Sequence, residues 1–264
     1  TTEATALKNA NTAVATGDAE ALSALTTVLN TGGAAATKAA ETMALQADTL
    51  GAGSQVAVAT GGKVFGVASN RLAAVRSGGQ YASAQTGFAT GDSGMAKAVW
   101  LKPFGNWSEQ DDKNGVAGFD ADTYGIAGGL DGEVADNFRL GASFAYSNTD
   151  VDGKGAGNSK TDINSYQFTA YGDYTADKFY VEGMVGYARN NNDGQRTITV
   201  GALTRTANAD YDSNQYMVSV GGGMPIQVKG DSFFTPTAGL AYTRVSTDSY
   251  TETGAGNLNL NVDS

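Results

Sequence analysis

From Ala98 onward the chain alternates apolar with polar or small residues at a period of two, the pattern of strands with one greasy face. Phe138, Leu140, Ala142, Phe144 and Tyr146 stand against Arg139, Gly141, Ser143, Ala145 and Ser147. Tyr166, Phe168, Ala170, Gly172 and Tyr174 oppose Ser165, Gln167, Thr169, Tyr171 and Asp173; Phe179, Val181, Gly183, Val185 and Tyr187 oppose Tyr180, Glu182, Met184, Gly186 and Ala188. Weaker versions set Tyr124, Ile126 and Leu130 against Thr123, Ala127 and Asp131, and Phe234, Ala238, Leu240 and Tyr242 against Thr235, Thr237 and Thr243. A further run holds Tyr216, Val218, Val220, Gly222, Met224 and Ile226 on one face. With a first strand at residues 99–107 and a last at 258–262, about eight strands are predicted.

The links between strands alternate too. Short ones fall at 134–137, 176–177 and 229–230, and longer polar ones near 109–120, 152–161, 190–208 and 246–256. Short turns on one rim and long loops on the other fit an up-and-down antiparallel barrel of the outer-membrane kind better than a Greek-key sandwich. The apolar faces begin and end in rings and carry little isoleucine, unlike the interlocking aliphatics of a dry core. Rings at both ends of a strand match aromatic girdles at two water–lipid boundaries, about 25 Å apart.

The N-terminal part has a different period. Residues 1–53 are rich in alanine, threonine and leucine and read as a helical pre-barrel segment, with Asp18 as a helix N-cap and Gly32 and Gly33 ending that helix. Residues 54–77 place Val64, Val67, Leu72 and Val75 at near-helical spacing and predict a helix thin enough, at Gly61, Gly62 and Gly66, to lie inside a narrow tube. Residues 78–97 are glycine- and serine-rich and read as a linker, and 98–264 form the barrel.

Composition narrows the chemistry. The 264 residues include no cysteine and no histidine, which excludes a disulfide framework, a thiol nucleophile and a Ser-His-Asp triad. The 17 basic against 27 acidic residues give a net charge of −10, which repels nucleic acid. The acids at Asp111, Asp112, Asp120 and Asp122 lack calcium-loop spacing, and Gly221, Gly222 and Gly223 lie within a strand pattern, where a close approach of the helix or a bend in the wall accounts for them. No catalytic residue, metal or cofactor is expected. Alternation assigns Arg139, Ser143, Gln167, Thr169, Asp173, Glu182, Thr235 and Thr237 to a wet lumen, and Phe144, Tyr146, Tyr166, Phe168, Tyr174, Phe179, Val181, Tyr187, Leu240 and Tyr242 to lipid. Val64, Asn70, Arg71 and Arg76 belong to the pore helix; Glu182 and Arg139 are candidates to meet Arg71 or Arg76, and Asn70 to touch the lumen.

Several spaced motifs resemble the autotransporter β-domain of type V secretion. These are the tryptophan and phenylalanine-glycine of the opening strand, the stretch from Gly118 to Gly125, Gly129 to Asp131, the Leu140–Ser147 strand, Tyr171-Gly172, Phe179 to Gly183, Arg196 after a long loop, and Pro236, Gly239, Leu240 and Tyr242 followed by Glu252. The resemblance runs over residues 54–264, and residues 64–76 are similar to the family's pre-barrel helix. It implies an outer-membrane barrel of about twelve strands that anchors and exports an N-terminal passenger in a Gram-negative bacterium. Implied partners are outer-membrane lipid, the barrel-assembly machinery, periplasmic chaperones and the passenger. A chain ending at Ser264 after about the eighth strand would then lack the last four and their terminal aromatic. Ser69-Asn70 stands where some relatives carry an asparagine pair, so self-cleavage is not expected. A surface adhesin or small porin acting through its long loops is the alternative.

Overall fold

A computed structural model describes residues 17–43, 47–77, 88–89, 97–113, 116–229 and 232–264. Three helices, α1 (Ala19–Thr31), α2 (Gly33–Met43) and α3 (Ala47–Arg76), precede the strands. The main sheet contains β1 (Phe88–Ala89), β2 (Lys97–Gln110), β3 (Phe119–Ala135), β4 (Phe138–Gly153), β5 (Lys160–Thr175), β6 (Tyr180–Val200) and β7 (Leu203–Gly223). After β8 (Ile226–Lys229) and β9 (Ser232–Phe234) pair as a small hairpin, β10 (Thr237–Thr247) joins the main sheet beside β7, and β11 (Tyr250–Thr251) pairs with β12 (Asn261–Val262). Every neighbour pair in the main sheet is antiparallel and sequential, apart from the excursion before β10.

The sheet must be curled. Seven strands from β2 to β10 laid flat would span ~30 Å at ~4.8 Å per step, whereas a helix is only ~10 Å across. Yet α3 contacts β2, β3, β4, β5, β6, β7 and β10. The sheet therefore wraps the helix as a barrel wall wraps a plug, with β1 and β10 as its edges among the described residues.

Alternation decides which face meets the helix. Ala127, Ala145, Tyr171, Met184 and Trp100 point inward and pack with Val64, Val67, Ala68 and Leu72 of α3. The helix residues recur at three- and four-residue intervals, so they form one stripe, and burying Val64, Val67 and Leu72 contributes about 2 kcal/mol each. Nearer its N-terminus, Ala52 and Val56 pack with Phe119, Ala121, Val151 and Ile163 at the far ends of β3, β4 and β5. Of the three helix glycines expected to permit close approach, Gly61 does so: a Cβ there would lie 2.5 Å from Gln215 and Met217 side-chain atoms, whereas Gly62 and Gly66 have nothing within 4 Å.

The outward face carries rings in two tiers. Phe138 and Tyr146, Tyr166 and Tyr174, and Phe179 and Tyr187 are each separated by eight positions, about 26 Å along a strand. Trp107–Tyr124, Tyr146–Tyr166 and Tyr187–Tyr216 form ring pairs in the upper tier, and Tyr174–Phe179 one in the lower. Above the upper tier, Asp122, Asp150, Asp162, Asp193 and Asp210 are register partners in a row across five strands, all exposed. The outer surface thus passes from ring to carboxylate within a few residues.

Several expectations are corrected. The pore helix begins at Ala47, not at residue 54, because Ala52 and Val56 find partners on the strand ends. Phe88–Ala89, within the supposed linker, pairs with Ala98 and Val99 of β2; the linker residues 78–87 and 90–96 lie outside the described residues, as do 1–16 of the helical segment. Residues 190–208 form no loop: β6 and β7 stay paired up to Val200 and Leu203 around a two-residue turn in which Gly201 has φ 60. Lys229 of the expected link ends β8, which pairs with β9, while residue 230 lies outside the described residues; the strand expected at 258–262 is the two-residue β12, outside the main sheet.

The triple glycine meets the wall. A Cβ on Gly222 or Gly223 would collide with Tyr180 at 2.6 and 2.7 Å, and no atom of the helix is near Gly221. Gly141 shows the same device, with the Tyr171 ring lying 2.4 Å from where its Cβ would be. We expect Gly141→Ala to displace Tyr171, break its bond from Trp100, and lower stability in urea unfolding by about 1–3 kcal/mol. Gly183→Ala, whose Cβ would meet nothing closer than 3.8 Å, should leave the midpoint unchanged.

Candidate functional site

The interface between helix and wall is built around Asp131, whose side chain is wholly buried. It sits on the inward face of β3 three residues before the register irregularity near Ala135, opposite Gly141. Arg71 Nε donates to Asp131 Oδ2 at 2.9 Å and Arg71 Nη2 to Oδ1 at 3.3 Å, a two-pronged contact. Arg139 Nη1 donates to Asp131 Oδ1 at 2.8 Å, and Trp100 Nε1 donates to the Tyr171 hydroxyl, which lies 3.4 Å from Oδ2. One turn further along the helix, Arg76 splits its guanidinium between Asp173 and Glu182 at 3.0 Å each, and stacks 3.8 Å above the Tyr180 ring. Ser69 donates to Glu182 Oε1 at 2.6 Å.

The two clusters balance. The wall contributes Arg139 against Asp131, Asp173 and Glu182, a net of two negative charges, and the helix contributes Arg71 and Arg76. Isolated charges in such a site cost several kcal/mol each, and paired ones largely offset that cost. The wall is therefore a negatively charged socket for a doubly charged helix end.

Lys102, opposite Ala127, and Glu133, opposite Arg139, also lie on the inward face. Ser143, Gln167 and Thr169 are buried; Gln167 donates to Thr169 Oγ1 at 3.1 Å and approaches the Gly61 carbonyl, while the Ser143 hydroxyl has no hydrogen-bond partner among the described residues. The anticipated meeting of Glu182 with a helix arginine occurs at Arg76, and Arg139 joins Arg71 indirectly through Asp131. Val64 is buried in the helix stripe. Asn70 is exposed and makes no hydrogen bond with a wall side chain among the described residues; Thr235 is exposed in the link before β10, and Thr237, also exposed, pairs with Gly223 on the inward face at the first position of β10. Phe144, Tyr146, Tyr166, Phe168, Tyr174, Phe179, Val181, Tyr187, Leu240 and Tyr242 all lie exposed on the outward face.

Sequence reasoning put Asp131 on the inward face without seeing it as the hub. It named Asp18 as a cap, and Arg196 and Glu252 as motif positions, without joining them into a second polar node. Beyond the upper rings the β6–β7 hairpin runs on for thirteen residues per strand, about 40 Å. There Ile198, Val200 and Ala207 pack with Ala21, Leu25, Val28, Ala39 and Met43 of α1 and α2 and with Ala255 and Leu258. Arg196, buried, donates from Nε and Nη2 to the two Glu252 oxygens at 2.7 Å and from Nη1 to the Thr42 carbonyl at 2.6 Å. Arg205 donates to both Asp18 oxygens, at 2.6 and 3.1 Å, and to Glu20 at 3.0 Å, while Asp18 caps α1 by accepting from the Ala21 amide.

Residues 99–264 match the family model described as the autotransporter β-domain. The chain is 31% identical over 238 residues to outer membrane protein B of Rickettsia prowazekii, covering 84% of this chain and 14% of that protein. It is 32% identical over 186 residues to outer membrane protein A of Rickettsia conorii, covering 66% of this chain and 9% of that one. Among solved structures, the translocator domain of the autotransporter NalP from Neisseria meningitidis superposes with a TM-score of 0.53 at 17% identity, covering 77% of this chain and 66% of that chain. A curled antiparallel wall around a helix defines a plugged β-barrel of the translocator kind. The chain belongs to the autotransporter β-domain family.

Asp131→Ala takes the shared carboxylate from buried Arg71 and half-buried Arg139 and should cost about 3–5 kcal/mol in denaturant unfolding, whereas Lys160→Ala, which removes an exposed pair with Asp152, should change it by less than about 0.5 kcal/mol. At the outer node the Arg205 guanidinium, first among its neighbours, holds the Asp18 carboxyl down to about 2. Because this lies below the ordinary aspartate value of 3.8, the contact stabilises docking fully at neutral pH and is lost as pH falls from about 4 towards 2. Protection factors for α1 amides, exchange rates corrected for the intrinsic pH dependence, should fall over that interval and stay flat between pH 5 and 7.

Proposed function

We propose that this domain anchors a passenger in the outer membrane of a Gram-negative bacterium and provides its way to the surface. The observation that carries the reading is the course of α3. Its C-terminal Arg76 sits among Asp173, Glu182 and Tyr180 at the rim with the short β3–β4 and β5–β6 turns, and its N-terminal part rises past Val56 to the rim from which the long hairpin projects. From Val56 to Arg76 the helix climbs about 30 Å, the depth of a hydrocarbon core. Short turns face the periplasm in outer-membrane barrels. A segment attached ahead of α3 therefore lies outside the cell, and the helix marks the path it took.

The exposed rings and aliphatics then face acyl chains, with tyrosines at the outer boundary and the aspartate row in water above it. Lipid is the solvent of that surface. Periplasmic chaperones and the barrel-assembly machinery are the partners such a strand set needs before insertion, since unpaired edges are costly in hydrocarbon. We assign the domain no catalysis, and the free energy for transport comes from folding on the far side. The chain spans 14% and 9% of the lengths of the two rickettsial relatives, and adhesion or any other surface activity would reside in the rest of such a protein. A porin role is disfavoured by the charge-matched plug.

Topology provides the test, made simple because the chain has no cysteine of its own. A membrane-impermeant maleimide applied to intact cells should label Thr204→Cys at the hairpin tip and reach Lys178→Cys in the β5–β6 turn only after the outer membrane is permeabilised. Labelling in the opposite order would overturn the orientation and with it the export reading.

A further inference from the structure

The outer hairpin has a second partner surface, and its occupant belongs to the same chain. Between Asn190 and Asn208 its inward side shifts from Asn190 and Asn192 to Ile198, Val200 and Ala207, all buried. These three are covered by α1 and α2 on one side and by Ala255 and Leu258 on the other. Polar contacts tie the same pieces together: Thr42 Oγ1 accepts from the Thr199 amide and donates to the Thr199 carbonyl, both at 3.1 Å. Arg196 joins α2 to Glu252, and Arg205 joins the start of α1 to the Ala255 carbonyl at 3.1 Å.

We propose that the β6–β7 hairpin and residues 250–262 form an extracellular clasp for the exported stem, residues 18–43, holding it folded beside the barrel mouth and out of reach of proteases. This rests on the export reading above, which places the hairpin outside. The clasp partner is the protein's own segment, and the fit is specific at both ends: Arg205 takes the N-cap of α1, and Arg196 takes the C-terminal carbonyl of α2. Before the stem emerges, Ile198, Val200 and Ala207 lie open; once it has emerged, they close over it. The clasp is thus available only to a chain that has completed transit.

A protease reports its state. Lys38 is the only lysine or arginine between residues 17 and 62, and it lies exposed on α2. Trypsin needs an unfolded stretch around its site, so cleavage there tracks the open population of the clasp, and a cut at Lys38 separates whatever precedes it from the barrel. The experiment uses full-length protein on intact cells, following release of the N-terminal part at low trypsin. The wild type should release slowly through Lys38. Arg205→Glu, which sets a like charge against Asp18 and Glu20, should release at least tenfold faster. Asp18→Asn, which keeps a capping side chain but removes the charge, should release a few times faster.

A Lys38→Gln change in the Arg205→Glu background should restore slow release, which shows that the cut falls in the stem. Impermeant maleimide on Val200→Cys gives an independent reading: slow in the wild type, fast with Arg205→Glu. Barrel integrity, read as resistance of the band to unfolding in cold detergent, should be unchanged throughout. Release and labelling rates in Arg205→Glu and Arg196→Ala equal to the wild type would overturn the clasp. A wild-type passenger that never reaches the surface would instead overturn the export reading on which it rests.

Discussion

Two carboxylates buried in one wall and a third half-buried beside them are tolerable only if something positive meets them. Asp131, Asp173 and Glu182 face inward, the wall's own Arg139 answers one of them, and Arg71 and Arg76 of the helix supply the rest. Removing the helix would strand two negative charges in a space lined by Trp100, Tyr171, Met184 and alanines. The helix is accordingly part of the fold, and the lumen is a socket shaped for it. Small inward residues, Ala127, Ala145, Ser143 and Thr169, leave the width that a helix needs.

The same two-residue period that turns charge inward turns rings outward. One register error would exchange the two surfaces on an entire strand, so the aromatic–glycine contacts that lock neighbours matter beyond their size. Tyr171 lying over Gly141, and Tyr180 over Gly223, each occupy space that any other residue would fill. Tyr171 also binds Trp100 and approaches Asp131, so the wall joint and the charge network share a side chain. The consequence for function is a rigid scaffold around a fixed path, with moving parts left to the region beyond the rings.

Much of the wall was legible because period two is local. The faces around Phe144, Phe168 and Val185 needed no knowledge of the fold. What escaped notice had physical reasons. Past the upper rings both faces of β6 and β7 turn polar, with Asn191, Asp193 and Gln195 outward and Asn190, Asn192 and Arg196 inward, so alternation in hydrophobicity vanishes while the hairpin continues. Asp131 looked like any inward acid because its partner Arg71 lies 60 positions away. Thr235 was assigned to the lumen from alternation that β8, β9 and Pro236 interrupt, whereas Thr237, inside β10, keeps the inward register. Asn70 falls between two buried helix positions and so faces away from the wall.

Collision rates of nitroxides at adjacent positions address the central claim most directly. Labels placed in turn at Phe168 and Gln167 in protein reconstituted into bilayers should differ sharply: 168 should collide often with oxygen dissolved in the acyl chains and rarely with a polar nickel chelate, and 167 should be shielded from both by the helix. Frequent oxygen collisions at 167 with shielding at 168 would mean that the wall is inside out and that α3 is not its plug.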